Sequence, residues 1–478
     1  MKSNQNKYVL LSCGIILIVA CVCVSLALAG GLGVSLLWPF NIPPQEGDFL
    51  NTPTFQNPFE STPDDTQASD PDLLATPTLE SDLPDEMAQT IAEIGSQVID
   101  LRGLITDQSV AHTLISREEL KEMILEDFLA DYDDEEAQQD VLVLSTIGLL
   151  PVGYDLKSLY QALYTEQVAG FYDSESKEIY IVRGDELGGS EKLTYAHEYT
   201  HALQDASYGF DEGLDFNEDA CGQNSERCAA INALIEGDAS ITEILWFETY
   251  ATRKDYRDLM QDFDNYEATI LDSAPAFLAS DLYFPYEYGF AFVQYLYDEG
   301  GFAAVDAAYE NLPLSTEQIL HPERYPEDVP LEVTLPDLSE ILGGSWTFFD
   351  QNILGEWYTF LILNQGYEEA YRLDMDLATI AAEGWGGDAY AFYINEETDE
   401  VTFILDTHWD SAGDAVEFKD AFERYARLRW EKSEENILGG TAWLGENTVS
   451  TLLQEGERTM WVISANRDLV ESILTNLQ

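Results

Sequence analysis

The pentapeptide His197-Glu198-Tyr199-Thr200-His201 sets two of only five histidines four positions apart. On an α-helix such residues differ by about 40° in azimuth, so both imidazoles leave one face and Glu198 sits beside them. That geometry binds a metal and supplies a base. Chance would produce H-E-x-x-H in a chain this poor in histidine on the order of once in two hundred such sequences. A catalytic zinc takes three protein ligands and keeps a fourth position for water, so one Zn2+ ion and a third ligand are expected.

The elements that must position these groups are legible nearby. Residues 190–205 read as a helix, with Ser190 as its N-cap and Leu193, Ala196, Thr200 and Leu203 as a packing stripe. Residues 229–245 read as a second helix, whose apolar surroundings make Glu236 conspicuous. A carboxylate there needs a partner, and a metal would be one. Glu236 is therefore the expected third ligand, and a solvent-facing helix residue is the alternative. Glu243, two turns further along the same face, is the next candidate, as a ligand or as a group behind the ligands. Asp205 lies four residues after His201 and could orient an imidazole through its free N–H, or be an ordinary polar residue near a helix end. His321, Tyr286 and Tyr288 are the candidate donors to a developing oxyanion, with His321 first.

The run from Tyr195 to Asp205, followed by Glu236-Gly237-Asp238-Ala239, resembles a group of largely uncharacterised bacterial metallopeptidase-like proteins of the gluzincin type. Gly170-Phe171-Tyr172-Asp173, Phe284-Pro285-Tyr286, the segment from Ser315 to Pro322 and Gly384-Trp385-Gly386-Gly387-Asp388 are similar to the same group. The resemblance implies a zinc site of His197, His201 and Glu236, Glu198 as general base, and a peptide or protein as substrate. Better-known gluzincins often carry an acidic residue four positions after the third ligand; here that position is Ser240. In gluzincins a strand before the motif helix lies at the cleft edge, where an extended peptide can add to the sheet. The strand–turn–strand pattern over residues 167–182 would serve, and a purely structural hairpin is equally consistent.

Composition bounds the partners. With 90 acidic against 22 basic residues the formal net charge is −68, which excludes nucleic acid as a partner. A saline or calcium-containing exterior, with divalent cations on the acidic surface, would suit such a charge; a lineage-wide acidic bias is the alternative. No charge occurs between Lys7 and Glu46, and residues 8–38 are long and apolar enough to cross a bilayer. Lys2 and Lys7 precede that segment and no basic residue follows until Arg102, so residues 1–7 are expected in the cytoplasm and the rest outside. The cell membrane, single-pass, is the expected location, and secretion after cleavage near Ala27-Leu28-Ala29 is the rival; Ile18-Val19-Ala20-Cys21 also resembles a lipoprotein cleavage box. In an oxidising exterior Cys221 and Cys228 are expected to form a disulfide.

The expected fold class is α+β. Residues 39–85, rich in Pro, Thr, Ser and Asp, read as a disordered acidic stalk. Residues 86–383 read as a mostly helical, gluzincin-like catalytic domain with a small edge sheet, helical up to about Tyr164 and again over 346–383. Residues 384–478 read as a small α+β module of strands and two helices. The function expected is a membrane-tethered zinc metallopeptidase. A non-enzymatic surface binding protein with a structural metal site is the alternative, and Glu198 argues against it, because a structural site needs no free carboxylate beside its ligands.

Overall fold

The computed structural model describes residues 84–106, 110–124, 132–182, 187–265, 269–430, 434–445 and 447–477. The expected cytoplasmic end, membrane segment and nearly all of the stalk lie outside these residues. Among the described residues no helix is long and apolar enough to cross a membrane.

The fold is mixed α+β, as the sequence pattern anticipates. Its first helix, Asp85–Arg102, buries Ile91, Ile94, Gly95 and Val98, a three-and-four spacing that lays one stripe on the core, and it ends at Gly103 in the left-handed region (φ 80°). The region to Tyr164 is not wholly helical, however, because Ala111–Ile115 forms strand β1. Its five residues pair in parallel with β3 (Glu178–Val182), and β3 pairs in antiparallel with β2 (Gly170–Asp173), giving the order β1-β3-β2. That pairing partner lies more than sixty residues away, beyond the reach of local pattern.

Three further helices make the frame of the site. The first, Gly189–Tyr208, carries His197 and His201; its N-cap is Gly188, whose N–H meets the Glu191 carboxylate, while the expected cap Ser190 donates instead to Asp262. Ser225–Tyr250, entered through Asn224, buries almost every side chain from Ala230 to Glu243. Ala276–Gly300 crosses it so closely that a Cβ on Gly237 would stand 2.1 Å from the Gly289 carbonyl oxygen. Only paired glycines permit that approach.

The C-terminal sheet has seven antiparallel strands in the order β4-β5-β6-β10-β9-β8-β7. They are β4 Trp346–Asn352, β5 Trp385–Asn395, β6 Val401–Trp409, β7 Glu434–Ile437, β8 Gly440–Leu444, β9 Val449–Glu455 and β10 Arg458–Ser464. Alternation divides its faces: Phe392, Phe403, Leu405 and Trp461 pack with the helix Ala412–Arg429 in the main core, while Tyr393, Ile404, Met460 and Val462 meet Val470, Ile473 and Leu474 of the helix Arg467–Leu477. Two strands depart from expectation. Trp346 to Asn352, read as the start of a helical stretch, is the edge strand β4, bulged between Phe348 and Asp350. The short edge strand β7 carries no alternation strong enough to announce it.

Candidate metal centre

The helix Gly189–Tyr208 presents His197 and His201 on one face, their rings edge to face with centroids 4.7 Å apart. Ser225–Tyr250 brings Glu236 to them from the side. Its Oε2 lies 3.1 Å from His197 Nε2 and 3.5 Å from His201 Nε2, and one ligand atom from each of the three falls within 4.8 Å of the others. All three side chains are buried, with Glu236 at 0% exposure. His201 Nε2 and Glu236 Oε1 have no hydrogen-bond partner among the described residues. Buried polar atoms left so are costly unless a cation satisfies them. His197, His201 and Glu236 can hold a metal ion.

The electrostatics agree. Burial opposes ionisation of Glu236, yet the two imidazoles outweigh it and hold the carboxyl down at about 2. Burial likewise opposes a charged His201, and Glu236 overcomes it to raise that ring above its usual range. A divalent ion bound between the imidazoles and the carboxylate would compete with protons for the same nitrogen and oxygen atoms.

The remaining sequence candidates divide. Glu243 reaches the cluster: its Oε2 lies 3.2 Å from His197 Nδ1, so the acid stands seven positions after Glu236, with Ser240 in between. Glu198 is fully buried beside the pair, and its Oε2 accepts the backbone N–H of Tyr172 in β2 at 2.8 Å. Tyr286 stacks over His197 with centroids 6.4 Å apart, whereas Tyr288 packs on Phe284 and Trp357.

Asp205 does not orient an imidazole. Its carboxylate instead accepts from Tyr172 Oη (2.8 Å), from Lys177 Nζ (2.5 Å) and from the Phe210 N–H (3.1 Å), tying the β2–β3 hairpin to the motif helix. The group on His201 is Gln204, one residue earlier, whose Oε1 lies 2.8 Å from Nδ1. A spacing of three places a side chain on the same helical face as well as a spacing of four does, so sequence alone could not choose between them.

His321 also sits elsewhere. It follows the short helix Thr316–Leu320, and its Nε2 lies 2.9 Å from Glu356 Oε1. Around it the segments Ser315–Pro322 and Gly384–Asp388 converge in a buried acidic network. Glu226 accepts from Thr316 N (2.6 Å) and Oγ1 (2.7 Å), and Asp388 accepts from the N–H groups of Leu354 and Gly355 (2.9 Å each) and from Trp385 Nε1 (2.7 Å). Burial pushes the Glu226 carboxyl up to about 8 despite its donors from Thr316, with Asp388 and Glu356 adding to the rise. A second acidic group, Glu317, Asp328 and Asp410, surrounds Arg324, whose guanidinium lies 2.6, 4.0 and 3.8 Å from them, so a cation already stands there.

The expected disulfide is present: Cys221 and Cys228 are bonded, closing the turn that leads into the Glu236 helix.

A family described as a domain of unknown function (DUF8575) matches residues 347–474, which is the seven-stranded sheet and its helices. A crystal structure described as "a putative hydrolase with a novel fold", from Chloroflexus aurantiacus, is similar at a TM-score of 0.33 and 16% identity over 50% of this chain and 87% of that one. That likeness is too slight to carry fold or activity across. No curated protein matches the chain.

Proposed function

We propose that this protein is a zinc metallopeptidase of gluzincin type, held at the cell membrane with residues 86–478 on the outer side. The observation that supports it is the convergence of two imidazole nitrogens and one carboxylate, all buried, with a second buried carboxylate, Glu198, next to His197 in sequence. A structural site would close its coordination with a fourth protein ligand, whereas a catalytic one keeps a base beside an open position.

Bound zinc would lower the pKa of a water and polarise a substrate carbonyl. Within the chain, Glu198 accepts the proton of the attacking water and returns it to the leaving amine. The Tyr172 N–H, 2.8 Å from Glu198 Oε2, holds that carboxylate in place beside the histidine pair. Asp205 holds the hairpin that supplies this N–H, through Tyr172 Oη and Lys177. Strand β2 is one of the two edges of its sheet, and an extended peptide would align beside it with the Tyr172 N–H kept on Glu198.

The test is to purify the full-length chain, measure bound metal by mass spectrometry, and compare cleavage of a mixed peptide library by the wild type and Glu198→Gln. One zinc per chain, with cleavage reduced at least 100-fold by the substitution and zinc retained, is the expected result. Stoichiometric zinc without cleavage by the wild type would overturn the peptidase reading and favour a structural metal.

A further inference from the structure

Behind His201 runs a chain of buried polar groups that reaches a different part of the fold. Gln204 Nε2 faces two acceptors, the Ile235 carbonyl at 3.0 Å and Asp238 Oδ2 at 2.9 Å. An amide nitrogen is the only end of glutamine that can satisfy both, so the amide is oriented and its oxygen must face His201 Nδ1, 2.8 Å away. An oxygen acceptor at that distance requires the hydrogen on Nδ1. In the neutral ring the lone pair is then on Nε2, the atom turned to Glu236.

Asp238 is in turn gripped by three donors: Arg102 Nε at 2.7 Å, Arg102 Nη2 at 3.0 Å and Tyr309 Oη at 3.0 Å. Both members of the Arg102–Asp238 pair have fully buried side chains, and the guanidinium also reaches Asp306 and lies over the Phe302 ring. A bidentate pair of this kind costs desolvation and fixes geometry. Arg102 closes the first helix of the described structure, Asp85–Arg102. The segment that follows the expected stalk thus plugs into the back of the metal cluster.

We propose that Arg102, Asp238 and Gln204 form a positioning chain that holds His201 as its Nδ1–H tautomer and thereby presents Nε2 to the metal. This rests on the metal reading above, and two measurements separate the failure of one from the failure of the other. Gln204→Met in the full-length chain removes the acceptor while leaving Arg102, Asp238 and Tyr309 paired, so the fold is retained. Zinc affinity by chelator competition should fall 10- to 100-fold, and 15N spectra of the neutral His201 ring in the metal-free protein should change from the single Nδ1–H form to a mixture. Arg102→Met should weaken zinc in the same direction, and in the double variant the losses should be less than additive. A wild type that binds no zinc but shows the fixed tautomer would sink the metal reading and leave the chain standing. Unchanged zinc affinity and an unchanged tautomer in folded Gln204→Met would overturn the proposal.

Discussion

Replacing Gly237 by alanine tests whether the crossing of two helices, rather than the ligands alone, seats Glu236. The new Cβ would stand 2.1 Å from the Gly289 oxygen, 2.4 Å from its carbon and 2.8 Å from Val293 Cγ2. An ordinary carbon–oxygen contact begins near ~3.3 Å, so the helices must part by about 1 Å. Overpacking costs about 1–3 kcal/mol, and an obstacle made of backbone in a buried crossing belongs at the upper end. Alanine recovers about 1 kcal/mol of helix propensity, leaving a net loss of about 2 kcal/mol. Over the roughly 300 residues of the catalytic domain, at about 2.1 cal/mol/K each, that lowers Tm by about 3 °C. Because Glu236 adjoins the displaced residue and a site tolerates only about 0.5 Å of misplacement, zinc affinity should also fall at least about tenfold. Differential scanning calorimetry and chelator competition measure the two effects, with Gly344→Ala, where nothing lies within 4 Å, as the control. An unchanged Tm and zinc affinity in Gly237→Ala would refute the packing argument.

Glu236→Gln keeps the shape of the third ligand and removes its charge, so zinc affinity should drop at least about 100-fold with circular dichroism unchanged; equal affinity would remove Glu236 from the site. The buried Glu226 has the opposite pH behaviour from a salt-bridged acid. Its carboxyl is raised from 4.5 to about 8, so the folded state holds a proton that the unfolded chain releases. That contribution is whole below pH 4.5 and is lost as pH climbs toward 8, at most roughly 5 kcal/mol. Tm should decline over this window, and Glu226→Gln should flatten the decline; an identical slope in the variant would exclude Glu226 as its source. Joint replacement of Cys221 and Cys228 by serine, opening a loop with a sequence separation of 7, should cost about 2 kcal/mol in thermal melts. A melt matching the wild type would show that the loop is ordered without its bond.

Much of the site was legible because it is local. The pair His197 and His201 needs only a helix between them, and the Cys221–Cys228 bond only a turn. Glu236 was legible for a different reason: a charge amid Ala-Ile-Asn-Ala-Leu-Ile demands a partner wherever the helix is placed. Strands of the C-terminal sheet such as Val401–Trp409 and Arg458–Ser464 could likewise be read from their short β-branched and aromatic runs, which the sheet buries on both faces. Strands β1, β4 and β7 could not, since their partners are supplied by distant or neighbouring segments and not by their own pattern.

The sequence by itself determined that a helix carries two imidazoles with a base beside them and that a carboxylate on a second helix seeks a cation, because side-chain spacing along a helix is set by backbone geometry. Only the tertiary structure decided that Gln204 rather than Asp205 faces His201, that Asp205 ties down the hairpin whose Tyr172 N–H meets Glu198, that His321 pairs with Glu356, and that Arg102 lies behind the cluster. Those pairings join residues up to 136 positions apart. They follow from which helices and strands pack against one another, which no local pattern encodes.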